Sequence, residues 1–270
     1  MRLNKYIVEL GICSRRKADD LIASAKVLIN GKIAELGYQL NDGDLIEIDS
    51  KSYTFSSKLK QKYYLALNKP KSFVTSFEED SKNLNDLLIE KNFLGDKKNY
   101  QQIKDIKFHY AGRLDKESTG LLLLTNDGDF SYKLTHPKYA SEKEYLVELK
   151  KIIKKEAISK LRQGVSIDPE QNGESVMTNP CFVEQIGDPE KNENKKLRII
   201  LNQGFKRQIR LMLKAVNNEV LELKRIRIAN IALKEYKIFS KPSGDKTYTN
   251  MIILDQFNEG NYCLIEKPEI

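Results

Sequence analysis

The chain has 270 residues, 40% apolar and 31% charged, with a net charge of +8, an isoelectric point near 9.1 and a mean hydropathy of -0.53. No apolar run approaches the roughly 20 residues that span a bilayer, so no membrane partner is expected, and a chain this long suits one substantial core plus a small second module. His109 and His136 are the only histidines, and no cysteine, histidine or glycine spacing forms a metal or nucleotide motif, so no cofactor and no metal are expected.

The opening MRLNKYIVELG lacks the apolar stretch and cleavage site of a secretory leader, so a cytoplasmic location is expected. Cys13, Cys181 and Cys263 are odd in number and widely separated, which reads as free thiols in a reducing compartment. The positive charge fits a polyanionic partner, but a lysine-rich composition explains it equally.

Leu3, Ile7 and Leu10 fall at helical spacing and Gly11 supplies a stop. A second helix follows, with Ser14 as N-cap and Ala18, Leu21, Ile22 and Ala25 on one face. Asn30-Gly31 between two apolar runs signals a hairpin, and Leu45–Ile48 a further strand, so a helix-helix-hairpin module ends near residue 50. Residues 51 to 63 are polar and aperiodic and read as a linker. Arg15, Arg16 and Lys17 sit in the first turn of the second helix, where the macrodipole disfavours cations. Either they grip a phosphate backbone or they form a solvated charge run.

Tyr64–Leu67 and Phe73–Phe77 read as strands around the turn Asn68–Lys71, and residues 78 to 109 as a charged, variable excursion with a short helical patch at Leu84, Leu87 and Leu88. Gly120–Thr125 is a continuous apolar run ending in the turn Asn126-Asp127-Gly128, the pattern of a buried strand. Tyr145, Val147 and Leu149 alternate with charged neighbours, residues 154 to 161 form a short helix, and Lys196–Leu201 a strand. Ile209, Met212, Leu213 and Val216 make an apolar helical stripe opposite Arg207, Arg210 and Lys214. Leu221, Leu223, Ile226 and Ile228 change phase midway, which predicts a strand with a bulge near Lys224-Arg225. Many strands and few helices predict an α+β fold on a mainly antiparallel sheet.

The stretch from Tyr110 to Gly128 holds the most chemistry: Gly112-Arg113-Leu114-Asp115 places a carboxylate on a glycine-bounded loop ahead of the apolar strand. Taken alone, an aspartate in such a loop is first a turn former or helix cap. GRLDKESTGLLLLTNDG, however, resembles the signature of pseudouridine synthases of the RsuA/RluB/RluE/RluF type. The resemblance extends to NKPKSFVTS, THPKYASEKEYLVEL, GFKRQIRLMLKAV and LELKRIRIANIAL, and the N-terminal module resembles the S4-type RNA-binding domain that precedes the catalytic domain in that family. It looks closest to the RluB branch.

The resemblance implies domains at 1–55 (RNA-binding module) and 63–240 (pseudouridine synthase), with 241–270 matching nothing. It implies isomerisation of uridine within ribosomal RNA, in the large subunit (23S) by preference and the small subunit (16S) as the alternative, by an enzyme expected to work as a monomer without cofactor. Asp115 would be the essential carboxylate. Attack on ribose carbon 1′, attack on ring carbon 6 and removal of a ribose proton all stay open, and each needs it ionised. Arg210 would be its buried ion-pair partner, important for stability as well as catalysis, and Tyr145 would stack on the flipped base or help remove the carbon 5 proton. Arg2, Lys5, Arg15, Arg16, Lys17, Lys69, Arg113, Lys143 and Arg207 are candidate RNA contacts, and Lys71, Lys206, Lys224, Arg225 and Arg227 extend the same path. Ser72 and Ala25 stand where the family has glycine, Ser24 where it has glutamate, and Leu211 replaces a second arginine. Two other classes compete: a non-catalytic RNA-binding or ribosome-assembly protein, and a glycosidic-bond hydrolase using a carboxylate pair such as Asp115 with Glu117 or Asp127.

Overall fold

The computed structural model describes residues 1–56, 61–78, 81–187, 195–238 and 250–269. It forms two compact units, Met1–Lys62 and Tyr63–Ile270. Among the described residues, no helix is long and apolar enough to cross a membrane.

In the first unit, α1 (Leu3–Glu9) ends near Gly11, whose φ of 71° only glycine adopts without strain. Ser14 accepts from Lys17 N to cap α2 (Arg15–Ala23). β1 (Val27–Ile29) and β2 (Lys32–Ile33) join through Asn30 and Gly31, at φ 51° and 77°, the backbone a tight right-twisting hairpin requires. β3 (Leu45–Ile48) and β4 (Lys51–Thr54) complete a sheet of order β2-β1-β3-β4. Leu3, Ile7, Ala18, Ile22, Val27 and Ile46 form its core.

β4 corrects the linker expected at 51–63. Lys51 pairs with Ile48 and Tyr53 with Ile46, and Phe55 is buried edge-on against Tyr6, ring centroids 5.0 Å apart. Lysine and serine on the solvent face masked an alternation whose inward members are Tyr53 and Phe55. Residues 57–60 of that stretch lie outside the described residues.

The second unit begins with β5 (Tyr64–Lys69). The strand expected at Phe73–Phe77 is absent. Val74 N donates to Lys82 O and Leu84 N to Ser76 O, so this segment is a loop strapped to residues 82–84. Its β-forming composition reflects burial rather than strand pairing. The charged excursion is a covering layer: two 3-10 turns, Leu84–Asp86 and Glu90–Asn92, and α3 (Lys97–Ile103) put Leu84, Leu87 and Ile103 against the sheet.

β6 (His109–Ala111) and β7 (Thr119–Thr125) follow. The turn expected after β7 is a helix start: the Asp127 carboxylate accepts from Asp129 N and Phe130 N to cap α4 (Gly128–Thr135). Then come β8 (Lys143–Leu149), α5 (Lys155–Gln163), the small hairpin β9 (Ser166–Ile167) and β10 (Val176–Met177), β11 (Phe182–Ile186) and β12 (Lys196–Leu201). α6 (Gln208–Ala215), β13 (Val220–Ile228), β14 (Ile231–Leu233), β15 (Ile252–Leu254) and β16 (Tyr262–Ile265) end the unit. The main sheet runs β11-β12-β8-β13-β7-β5-β16, with β6 on β7, β14 on β13 and β15 on β14. Only β13–β7 and β14–β15 pair in parallel among the described strands, so the unit is α+β on a mainly antiparallel sheet.

β7 is central and covered on both faces, which is why it reads as an unbroken apolar run. Leu121 and Leu123 pack with Phe130, Leu134 and Ile231, whereas Leu122 and Leu124 pack with Leu84, Ile103 and Tyr262. The C-terminal residues that matched nothing supply β15 and the edge strand β16, in which Tyr262 pairs with Leu67.

β13 carries two register shifts, one between Val220 and Glu222 and one between Arg225 and Arg227. The first leaves Leu221, expected inward, 49% exposed. The second is the expected bulge, and it has a large effect. Arg225 pairs with Tyr145 and Arg227 with Glu144, so residues two apart, which an unbroken strand puts on one face, point to opposite faces. Arg227 Nε meets Glu144 Oε2 at 2.8 Å and Arg198 Nε meets Glu144 Oε1 at 2.7 Å, with all three side chains essentially sealed from solvent. Arg227 is thus an internal ion-pair residue and not part of an RNA path, and β8 is covered on its second face where a charged, solvated one was expected.

Candidate active site

Asp115 lies on a loop between Gly112 and β7 that is tied down at every peptide. Arg113 O accepts from Arg225 Nη1 (3.3 Å), Leu114 O from Thr75 Oγ1 (2.7 Å), Asp115 O from Ser118 N (3.0 Å) and Lys116 O from Ser72 N (2.9 Å). Leu114 is buried in the core beside Leu122. A loop so anchored presents the Asp115 side chain without rearrangement. Ser72 makes its bond at φ 71°, a left-handed backbone that favours glycine, which explains why serine is a departure at this position.

A row of paired residues crosses the sheet beneath the loop: Ile199, Tyr145, Arg225, Gly120 and Lys69. Gly120 has φ 103°, and a Cβ there would lie 2.2 Å from the Arg225 carbonyl oxygen. Glycine is therefore required for β7 and β13 to pair, and the pairing lets Arg225 Nε donate to Leu121 O at 2.7 Å. Lys69 is fully buried, and its Nζ donates to Pro70 O, Phe73 O and Lys116 O. Burial pulls its ammonium down to about 8, with Asp115 and Glu117 opposing the shift. Lys69 thus braces the Asp115 loop from inside, which corrects its place among the surface RNA contacts.

A cavity of about 740 Å³ opens over Tyr145 and Arg225 of this row, lined also by Arg113, Asp115, Ser118 and Lys143 among others. That volume lies within the range of small-ligand sites. Tyr145 is half-buried, packed between the α5–α6 cluster and the Leu114 cluster. Arg210 Nε lies 3.9 Å from Asp115 Oδ2, the side chains 15% and 31% exposed. Nη1 of Arg210 donates to Val220 O, while Nε and Nη2 have no hydrogen-bond partner. Burial, reinforced by Arg207, lowers the Arg210 pKa, and Asp115 and Glu117 oppose this. The expected tight, buried ion pair is therefore a looser, half-open contact whose donors stay available.

The remaining candidates divide by exposure. Arg113 and Arg207 are exposed on the cavity rim, with Lys206 and Phe205 beside them. Arg207 has φ 54° at the start of α6. Lys143 is half-buried, and its Nζ donates to Ser141 O. Lys224 is paired with Glu235 at 2.5 Å and Arg225 is 2% exposed, so neither offers a surface cation. Lys71 is exposed. In the first unit Arg2, Arg15, Arg16 and Lys17 are exposed and Lys5 is half-buried. Sequence reasoning missed Ser118 and Thr75, ordinary loop residues by composition, and took Arg225 for a surface charge. Asp127, the second carboxylate a hydrolase would need, caps α4 and accepts from Tyr64 Oη at 2.9 Å.

With this geometry in view, the similarities to known proteins are specific. Residues 63–215 match the RNA pseudouridylate synthase family and residues 1–46 the S4 domain. Ribosomal large subunit pseudouridine synthase B of Bacillus subtilis (strain 168) is 34% identical over 236 residues, 86% of this chain and 87% of the relative. Dual-specificity RNA pseudouridine synthase RluF of Escherichia coli (strain K12) is 36% identical over 233 residues, 86% of this chain and 71% of the relative. A crystal structure of a pseudouridylate synthase aligns with a TM-score of 0.59 at 26% identity, covering 98% of this chain and 96% of that one. The chain belongs to the RNA pseudouridylate synthase family, as an enzyme with an S4 domain ahead of its catalytic domain.

Proposed function

We propose that this enzyme isomerises uridine to pseudouridine at defined positions of ribosomal RNA, in the large subunit (23S), with Asp115 as the essential carboxylate. The observation that carries the reading is Asp115 itself, held over a nucleotide-sized cavity by a loop bonded at each peptide, with Tyr145 on the wall and Arg210 at 3.9 Å. Arg210 positions Asp115. Tyr145 stacks on the flipped uracil, which recovers part of the unstacking cost. The large-subunit assignment draws on the name of the Bacillus subtilis relative. The protein acts in the cytoplasm as a monomer and needs no cofactor.

The test is pseudouridine mapping of all ribosomal RNA in cells with and without the protein. Loss of one or a few large-subunit modifications is expected. Loss confined to small-subunit RNA moves the substrate to 16S, and an unchanged map removes the reading.

Arg2, Lys5, Arg15, Arg16 and Lys17 of the first unit, with residues 1–55 as the RNA-binding domain, supply phosphate contacts, and Arg113 and Arg207 do so at the cavity rim. The triple substitution R15A/R16A/K17A should weaken RNA binding and flatten its salt dependence, by roughly 0.7 to 0.9 in log-log slope for each phosphate no longer neutralised. An unchanged slope takes that helix turn out of the interface.

A further inference from the structure

We propose that Arg225, Lys143 and Ser118 form a cavity floor that holds the uracil ring as an anion while it is detached from ribose. This deepens the pseudouridine synthase reading and rests on it.

The first ground is unspent bonding capacity inside the site. Arg225 is 2% exposed; its Nε and Nη1 donate to Leu121 O and Arg113 O, and Nη2 has no hydrogen-bond partner. Ser118 is 1% exposed and its Oγ has none either. Both line the cavity, as does Lys143, whose Nζ uses one hydrogen on Ser141 O. Buried polar groups without partners in a folded protein call for an explanation. A ligand that brings acceptors to this floor supplies one.

The second ground is placement. Lys143 and Tyr145 stand two apart on β8 and share a face, and Arg225 is the cross-strand neighbour of Tyr145. A base stacked on Tyr145 therefore lies beside both cations. The exposed cations Arg113, Lys206 and Arg207 occupy the rim. Phosphates stay on the continuous, hydrated strand and match the rim. The only part of the substrate that separates from the strand is the base, and it matches the floor.

The third ground is charge balance. The bond between carbon 1′ and nitrogen 1 breaks with its electron pair on the base, so uracil becomes an anion whose charge spreads over nitrogen 1 and the two carbonyl oxygens. Carbon 1′ is satisfied by the Asp115 carboxylate or by loss of a ribose proton, which is returned on rejoining. After the ring turns, an electron pair at carbon 5 forms the new bond to carbon 1′. The carbon 5 proton then leaves, nitrogen 1 takes up a proton, and the sum is an isomerisation. Two cations and a hydroxyl in a desolvated floor stabilise the anion only while it exists, which is the condition for acceleration.

The cationic form of Lys143 is sensitive to pH. Burial, reinforced by Arg225 on β13, pulls its ammonium down to about 8. The other charged or titratable groups around the site are Arg113, Asp115, Lys116 and Glu117 on the loop, Lys69 on β5 beneath it, also pulled down to about 8, Tyr145 on β8, Glu170, Lys206 and Arg207 ahead of α6, and Arg210 on α6.

The experiment is single-turnover isomerisation of an rRNA fragment by the full chain, with RNA affinity measured in parallel. Lys143→Met is expected to lower the rate about 100-fold, the scale for loss of one preorganised donor, with RNA affinity within about threefold, because Lys143 meets the anion only after bond cleavage. Ser118→Ala should lower the rate by about tenfold, again without weakening binding. The wild-type rate should fall as pH rises through about 8, and Lys143→Arg should hold its rate to higher pH. Weakened RNA binding at an unchanged rate in both Lys143→Met and Ser118→Ala would make these phosphate contacts and overturn the floor. Rates and pH profiles equal to wild type overturn it too, while leaving the enzyme assignment standing. A wild-type protein that forms no pseudouridine removes the underlying reading instead.

Discussion

Among the described residues of the catalytic unit, two arginine–carboxylate clusters are built in opposite ways. Glu144 is sealed from solvent and bonded at 2.7 and 2.8 Å to Arg198 and Arg227, a contact that ties β12, β8 and β13 together. Asp115 is 31% exposed, and Arg210 approaches it only to 3.9 Å, with two of its nitrogens unpartnered. Tyr145 and Glu144 are adjacent on β8 and face opposite ways, so one strand serves both clusters. The first cluster commits its carboxylate to the fold, with both Glu144 oxygens bonded. The second keeps bonding capacity in reserve, which is what a group that must meet a substrate requires.

Substitutions in each cluster should separate activity from stability. Asp115→Asn should abolish isomerisation, by at least about 1,000-fold or roughly 4 kcal/mol of barrier, with thermal stability near wild type; residual turnover within about tenfold would break the contrast from the functional side. Glu144→Ala takes the shared, sealed carboxylate from two buried guanidinium groups, Arg198 retaining Glu184 and Arg227 retaining Glu142, and should destabilise the unit by about 3 kcal/mol, read from denaturant unfolding. A loss under about 1 kcal/mol would mean the tight cluster is not structural. Arg210→Met should cost about 100-fold in turnover, some 2.7 kcal/mol, yet under about 1 kcal/mol of stability, because its partner is partly solvated. That last figure departs from the larger stability cost a tight buried pair would carry. Smallest is Ala25→Gly in the first unit: Ala25 has φ 57°, and glycine should raise stability by about 0.5 to 1 kcal/mol with activity unchanged, measured by melting temperature.

Much of this was legible in the chain. Gly11, Ser14 and Asn30-Gly31 fixed the elements of the first unit because each acts through its own backbone conformation or a neighbour three residues away. The phase change in β13 foretold its bulge. Asp115 and Tyr145 line one cavity, and Arg210 reaches to 3.9 Å from Asp115, looser than the buried pair the family resemblance implied. The misread cations look like surface charges in one dimension. Arg225 and Arg227 are buried against partners far along the chain, Leu121 O and Glu144, whereas Lys69 is buried by the sheet around β5 and bonds most closely to Pro70 O and Phe73 O. β4 was hidden by polar residues on its solvent side, and the strand expected at Phe73–Phe77 was suggested by apolar residues that bury without pairing.

By itself the sequence determined local geometry and the family, and it singled out Asp115 as the candidate acid, because these depend on residue types at short and fixed spacings. Tertiary structure alone decided which arginines are scaffold and which are site. A one-residue bulge in β13 turns Arg225 toward the cavity and Arg227 into the sealed cluster, and whether a cation is spent or available depends on the acceptors that distant strands bring to it.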